Sequence, residues 1–441
     1  MKRGEETMFE GMNIPSVQLA VLCTSVFFVF LAYESIQKIE SSLNPGVGTT
    51  AIGVLYVVMI CATPAAPYIL KLLGKKWAYV FGGITYSIFV ASHFYPKKDC
   101  MIPAAVVIGI GSAVFWPAIL TLLKHFSDKY AAMKDLEANK TLDHFSSIFW
   151  GSFQLCKVVG SAMLYIIFKE VGLAVFFTSE KVLIISFTAC ALFGCLIGIA
   201  LMQNVDKDIN ETRKGELENA EKDAKKLEEK STSKSKAWFR LLRSPHCLML
   251  FGICMYNGIE QGFAWTDFTS LMVYPAYNSK AMIGMFTLAY SAANMLTGSL
   301  ASQFPTSKAM TRALLFVAIG TQTVCSLLVS QLFADKKAAL WVTAVVLGMG
   351  DALLNTKIGV LLGCDFKGQE HVIMVAIWRG CHAAGTAIPF FLSGRTELLV
   401  NVLVLTGVAV VAVILFGIYC SLGPREEQET DECESTGQVK P

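Results

Sequence analysis

Apolar residues in this chain gather into runs of about twenty, parted by short polar stretches, and the pattern occurs twelve times. The runs cover roughly 17–36, 48–72, 77–95, 101–123, 145–168 and 182–202, then 246–274, 281–303, 309–333, 339–363, 372–394 and 398–422. A helix rises about 1.5 Å per residue, so each run is long enough to cross a hydrocarbon core of about 30 Å. Lipid cannot satisfy open backbone groups, so every run is expected to be helical. The predicted fold class is an all-α polytopic membrane protein with twelve transmembrane helices.

Composition agrees with the pattern. The chain is 54% hydrophobic and 16% charged, against about 25% charged residues in soluble domains. Its net charge of +3 resides mostly in loops, so nucleic-acid binding has no support. The 13 cysteines fall mostly inside apolar runs and read as small packing residues. The polar stretch MKRGEETMFEG precedes the first run without a small-residue cleavage site, and no cleavable signal is expected.

One break divides the chain. Residues 203–243 alternate acidic and basic side chains and end in Trp238, Phe239, Arg240 and Arg243. This reads as a solvated linker with a basic-aromatic segment at the membrane surface, or as a docking site for a partner. The expected organisation is a tail (1–16), a six-helix bundle (17–202), the linker (203–243), a second bundle (244–422) and a tail (423–441). Lys and Arg crowd the loops on the side of the N-terminus even with the linker set aside. Both termini and the linker are therefore predicted to be cytosolic, in a plasma membrane or endomembrane.

The two halves echo one another. Val106–Ile119 reads VVIGIGSAVFWPAI, and Val345–Ile358 reads VVLGMGDALLNTKI, an offset of 239 residues. Gln154, Lys157 and Gly160 match Arg379, His382 and Gly385 at an offset of 225. Repeated six-helix bundles around a central cavity are the major-facilitator plan.

Ionisable residues inside such runs are costly in lipid, by at least ~2.5 kcal/mol at a helix centre, and point to function. Asp351 and Asn355 lie four apart and share a helix face. Lys357 points elsewhere, toward the nearer membrane surface. Asn257, Glu260, Ala264 and Asp267 form a stripe on the seventh run, Glu260 at mid-depth and Asp267 nearer the outer end. Glu34 closes the first run at that outer level, where a carboxylate is usually solvated. Lys157, near mid-membrane, requires an acidic partner, and Asp351 or Glu260 is the candidate. Arg379 lies nearer the cytosolic side. His382 either titrates or makes one structural hydrogen bond. The set Glu34, Lys157, Glu260, Asp267, Asp351, Asn355, Arg379 and His382 is expected to line a hydrated cavity. The sequence holds no H-E-x-x-H, G-x-S-x-G or Walker loop, and no catalytic residue, metal site or cofactor is expected.

Several motifs carry a resemblance. They are IESSLN (39–44), LLGKKW (72–77), IPAAVVIGIGSAVFWPA (102–118), SSIFWGSFQ (146–154), GIEQGFAWTDFT (258–269), GMGDALLNTK (348–357) and IWRG (377–380). Together they resemble the Unc-93-like family, a branch of the major facilitator superfamily. The family pattern has Gln at Lys357 and near Lys157, so this chain adds two positive charges. The stretch LysLeuLeuGlyLysLys at 71–76 lacks the Asp and leading Gly of the superfamily's gating loop. The resemblance implies a non-enzymatic membrane protein that regulates or accompanies an ion channel or membrane receptor, in potassium homeostasis. The charge pattern alone implies a proton-coupled secondary transporter of a small solute, with Glu260 and Asp351 binding the proton.

Overall fold

The structure is a computed structural model that describes residues 14–169, 179–202, 241–303, 307–331, 336–366 and 368–422. Nearly all of the expected N-terminal tail and of the linker, and the whole of the C-terminal tail, lie outside the described residues. Among the described residues the helices make twelve passes. The first half holds α1 (Pro15–Leu43), α2 (Val47–Ala62) continued by α3 (Ala66–Leu73), α4 (Lys75–Ser92), α5 (Lys98–Lys134), α6 (Ala138–Lys169) and α7 (Ser179–Leu201). The second half holds α8 (Pro245–Trp265) continued by a π turn (Phe268–Val273) and α9 (Tyr274–Tyr277). It goes on through α10 (Lys280–Gln303), α11 (Lys308–Gln331), α12 (Lys337–Asp365), α13 (Gly368–Leu392) and α14 (Leu398–Ser421). Below, the near face is the one where α1 begins, and the far face is the one where it ends.

Local chemistry sets several boundaries. Ser244 caps α8 by accepting from Cys247 N, and Pro245 occupies the first turn, where its missing N–H costs nothing. Gly74 takes φ 78° between α3 and α4, a left-handed turn that a side chain would strain. Eight of the passes are apolar and long enough to span a membrane on composition alone. The passes of α4, α8, α10 and α13 fall short of that mark, and all four carry buried polar groups, among them Thr85, Glu260, Asn294 and Thr386.

Packing repeats between halves. The neighbours α1 with α7, α2 with α5, α4 with α5 and α1 with α6 correspond to α8 with α14, α10 with α12, α11 with α12 and α8 with α13. The halves meet where α6 packs on α10 and α13 packs on α2. The duplicated glycines do the same work twice. A Cβ on Gly109 would lie 2.8 Å from Leu55 O on α2, and one on Gly348 would lie 2.2 Å from Tyr290 O on α10. Gly111 meets Thr85 on α4, and its copy Gly350 meets Gln322 on α11. Gly160 approaches Leu31 O on α1, and its copy Gly385 approaches Met255 O on α8. Close helix contact through small residues is how membrane bundles gain dispersion contact in the absence of a hydrophobic drive.

Besides the start of α6 at Ala138 rather than near 145, three boundaries differ from the expected ones. The first helix runs to Leu43 rather than stopping near 36. Its last turns carry Glu34, Gln37, Lys38 and Glu40, which end the hydropathy signal but are all buried by neighbouring helices. The fourth pass, α5, continues to Lys134, eleven residues past the apolar run. The seventh pass breaks at Thr266, whose φ −111° and ψ −84° leave the helix.

At the far face, Glu40 and His93 join α1 to the end of α4. His93 Nε2 lies 2.7 Å from Glu40 Oε2, and both side chains are wholly buried. His93 Nδ1 lies 2.9 Å from Phe89 O. A carbonyl only accepts, so Nδ1 carries a proton, and one further proton is held between Nε2 and the carboxylate. Asn44 Nδ2 donates to the other carboxylate oxygen at 3.0 Å.

Candidate functional site

The middle of α12 holds Asp351, which is 1% exposed. Asn355, one turn on, donates to Asp351 Oδ1 at 2.7 Å. Asn294 of α10 donates to Oδ2 at 2.6 Å. Gln154 of α6 in turn donates to Asn294 Oδ1 at 2.9 Å. Thus the carboxylate in the second half is tied by one amide to the first. Charge-assisted bonds of this kind contribute about twice what neutral ones do.

Glu260 on α8 is fully buried, and neither of its oxygens has a hydrogen-bond partner among the described residues. Asp351 and Gln322 are its polar surroundings. Burying an unmatched polar group costs roughly 1–3 kcal/mol, so Glu260 is held there against a cost.

The bases sit around the same centre. Lys157 is half-buried with Nζ 5.0 Å from the Phe153 ring centroid. It acts on Asp351 through space, but the close ion pair expected with Asp351 or Glu260 is absent among the described residues. Arg379 stacks on Trp378, Cζ 4.5 Å from the ring, and Trp378 donates to Asn257 Oδ1 at 3.2 Å. Arg379 is exposed and yet surrounded by protein. The two facts are compatible where the side chain opens into a space inside the bundle. His382, half-buried, feels both Arg379 and Lys157.

Three residues are placed otherwise than expected. Glu34 does not end a helix in solvent: it lies mid-helix, 7% exposed, beside Lys38 and Tyr56. Lys357 lies toward the near side, as expected, but is covered by protein there. It is 2% exposed and donates to Ala301 O at 3.0 Å, at the near end of α10. Asp267 is not brought to the centre. The break at Thr266 turns it toward Ser393 and Asn401, in a small apolar pocket with Phe263, Ile388 and Leu392.

Lys38 belongs to the site and escaped the hydropathy reading. It is 1% exposed and donates to Ser291 Oγ at 2.9 Å and Ser161 Oγ at 3.3 Å, one hydroxyl from each half. The spacing of Glu34, Lys38 and Ser41 is the signal that could have found it, because those positions continue one helix face.

Among the described residues, the hydrogen bonds and ion pairs between halves lie at the middle or toward the far face. Besides Gln154–Asn294 and Lys38–Ser291, Ser41 Oγ lies 3.2 Å from both Trp265 O and Thr266 O at the break in the seventh pass. Arg395 donates to Thr50 at 2.7 Å, and Lys280 pairs with Glu180. With none of these ties at the near face among the described residues, the space around Arg379 is expected to open there. A cysteine introduced at position 379, in a background without the exposed Cys61 and Cys364 and without Cys433 of the tail, is expected to react with a membrane-impermeant maleimide added to the near face. Labelling from the far face alone would contradict this geometry.

A sequence profile of the family described as "Ion channel regulatory protein UNC-93" matches residues 40–417. The chain belongs to the UNC-93 family. Among relatives of this UNC-93 chain, "UNC93-like protein 3" of Arabidopsis thaliana is 26% identical over 399 residues, covering 88% of this chain and 83% of that one. "Protein unc-93 homolog A" of Xenopus laevis is 24% identical over 437 residues, covering 90% and 92%. Similar solved structures include a POT family transporter in complex with 5-aminolevulinic acid, with TM-score 0.63, 13% identity and coverage of 92% and 96%. The nucleoside transporter NupG gives TM-score 0.63, 14% identity and coverage of 93% and 100%. These likenesses show the major facilitator fold. The family is described as one of ion channel regulatory proteins, and the similar solved structures are of transporters.

Proposed function

We propose that this UNC-93 family protein regulates or accompanies an ion channel, in potassium homeostasis, or a membrane-receptor complex. The family match over residues 40–417 carries this reading. The stretch at 71–76, which holds basic residues but no acid, supports it, because a transporter's gating loop normally opposes charges there. Both termini and the linker are cytosolic in this proposal, so the near face is the cytosolic one. Purification of the native protein in mild detergent is expected to recover a channel or receptor in stoichiometric amount. Recovery of the chain alone, with ion currents unchanged on its deletion, would refute the role.

A second reading is proton-coupled transport of a small solute. Glu260 supports it, buried without a hydrogen-bond partner beside Asp351 at the meeting of the halves. In this reading Glu260 and Asp351 bind the proton, and Lys157 and Arg379 hold an anionic group or act as counter-ions. Vesicles with the purified protein are expected to move solute down an imposed pH gradient, with at least a tenfold loss in Asp351→Asn, about 1.4 kcal/mol of lost coupling. Undiminished flux in that variant would remove the assigned role.

A further inference from the structure

On α6, Trp150, Gln154, Lys157 and Ser161 recur every three or four residues and so form one stripe. Two of the four are located by their contacts. Gln154 reaches across to Asn294, and Ser161 lies under Lys38 between the halves. The opposite side of the helix shows Ile148, Leu155 and Ile166, all exposed apolar groups suited to lipid. Trp150 and Lys157 therefore face the space between the halves.

That space has an aromatic wall. Trp150 is 36% exposed and stacks on Trp116 of α5, with centroids 6.0 Å apart and an interplanar angle of 14°. Phe153 meets both rings edge-on, at 5.7 Å from Trp150 and 5.5 Å from Trp116. It also has two cations, Lys157 from one half and Arg379 from the other. Lys157 lies one turn beyond Gln154, whose amide reaches Asn294 and through it Asp351, and Arg379 adjoins Trp378, which donates to Asn257 one turn before Glu260, so both helices bring their cation to the meeting of the halves. Neither makes an ion pair within 4.0 Å among the described residues. Asp351 is already held by the amides of Asn294 and Asn355. Two cations in a partly dry space without close counter-ions are a strong attractor for a negative charge, and an arginine's planar fork matches a carboxylate.

We propose that the cavity binds a small organic anion with an aromatic body, its carboxylate between Lys157 and Arg379 and its ring on the Trp150–Trp116 wall. The proposal rests on the solute-binding part of the second reading above, but equilibrium binding does not require transport.

Calorimetry on the full-length protein in detergent tests it, with indole-3-carboxylate, its neutral amide and acetate as probes. The carboxylate is expected to bind at least tenfold more tightly than the amide. Lys157→Gln and Arg379→Gln are each expected to weaken it about tenfold or more, with Lys124→Gln, at an exposed surface pair, unchanged. Trp150→Leu is expected to weaken the indole acid and leave acetate unaltered. Should Arg379→Gln fail to fold, Arg379→Lys keeps the charge and is expected to lose less. Equal binding of acid and amide, binding indifferent to both cation variants, or no binding at about 1 mM would each overturn the proposal. Proton-driven flux of some other solute with no carboxylate binding would overturn the ligand class and leave the transport reading standing. Carboxylate binding without flux would support the site and remove the transport reading.

Discussion

His93→Ala is expected to destabilise the protein by about 3–5 kcal/mol, the range for removing one partner of a buried ion pair. The substitution leaves Glu40 wholly buried with only Asn44 as a hydrogen-bond partner. It also opens a void where the imidazole packed edge-on against Phe89, with centroids 5.2 Å apart. Chemical unfolding in detergent measures the loss. The double variant His93→Leu with Glu40→Leu is expected to recover most of it, because replacing both partners removes the uncompensated charge. A loss under about 1 kcal/mol, the value for solvent-exposed pairs, would mean that water reaches the pair. Activity is a separate matter, since the pair lies at the far end of α1 and away from Asp351.

Gly284→Leu is expected to have the second large effect. Gly284 sits where α10 crosses α6, and a Cβ there would lie 2.4 Å from Tyr165 N and 2.8 Å from Tyr165 Cα. Backbone cannot swing aside as a side chain can, so the halves must separate at the far face. Overpacking of this kind costs about 1–3 kcal/mol. Two results are expected together: a lower melting temperature, and far-face labelling of a cysteine at position 41, which is buried against Trp265 and Thr266 in the parent protein. Gly407→Ala serves as the control, because nothing lies within 4 Å of a Cβ there. An alanine in mid-helix is expected to leave stability unchanged or raise it by about 0.5–1 kcal/mol. Equal effects of the two substitutions would refute the assigned contact.

How far the sequence could be read depended on whether a feature was local. Asp351 and Asn355 were legible as a pair because a four-residue spacing fixes them on one face, and their 2.7 Å bond is intrahelical. The Gly-x-Gly repeat was legible as a packing device, since small residues leave few other roles. The partners of those groups were not. Asn294 meets Asp351 across 57 residues, and Gln154 meets Asn294 across 140. No periodicity reports such distances. Lys38 falls outside the expected first run for a different reason: hydropathy averages over a helix and cannot tell a polar group in a loop from one buried between two hydroxyls. The break at Thr266 left no mark either. The run GIEQGFAWTDFT keeps helical spacing through it, so Asp267 was assigned to the Glu260 stripe when the backbone turns it toward Asn401.

The length of α5 has a practical consequence. Its 37 residues rise about 55 Å, well beyond a bilayer core. The turn into α6 is short, with Asp135 in the left-handed region at φ 51°. Lys124, Asp128, Met133 and Leu136 are exposed along that stretch. A helical post therefore stands clear of any detergent belt, braced by a second helix at its side. Splicing a small rigid protein in register into this post would give a fiducial for electron cryomicroscopy, where a bundle with little mass outside the micelle is otherwise hard to align.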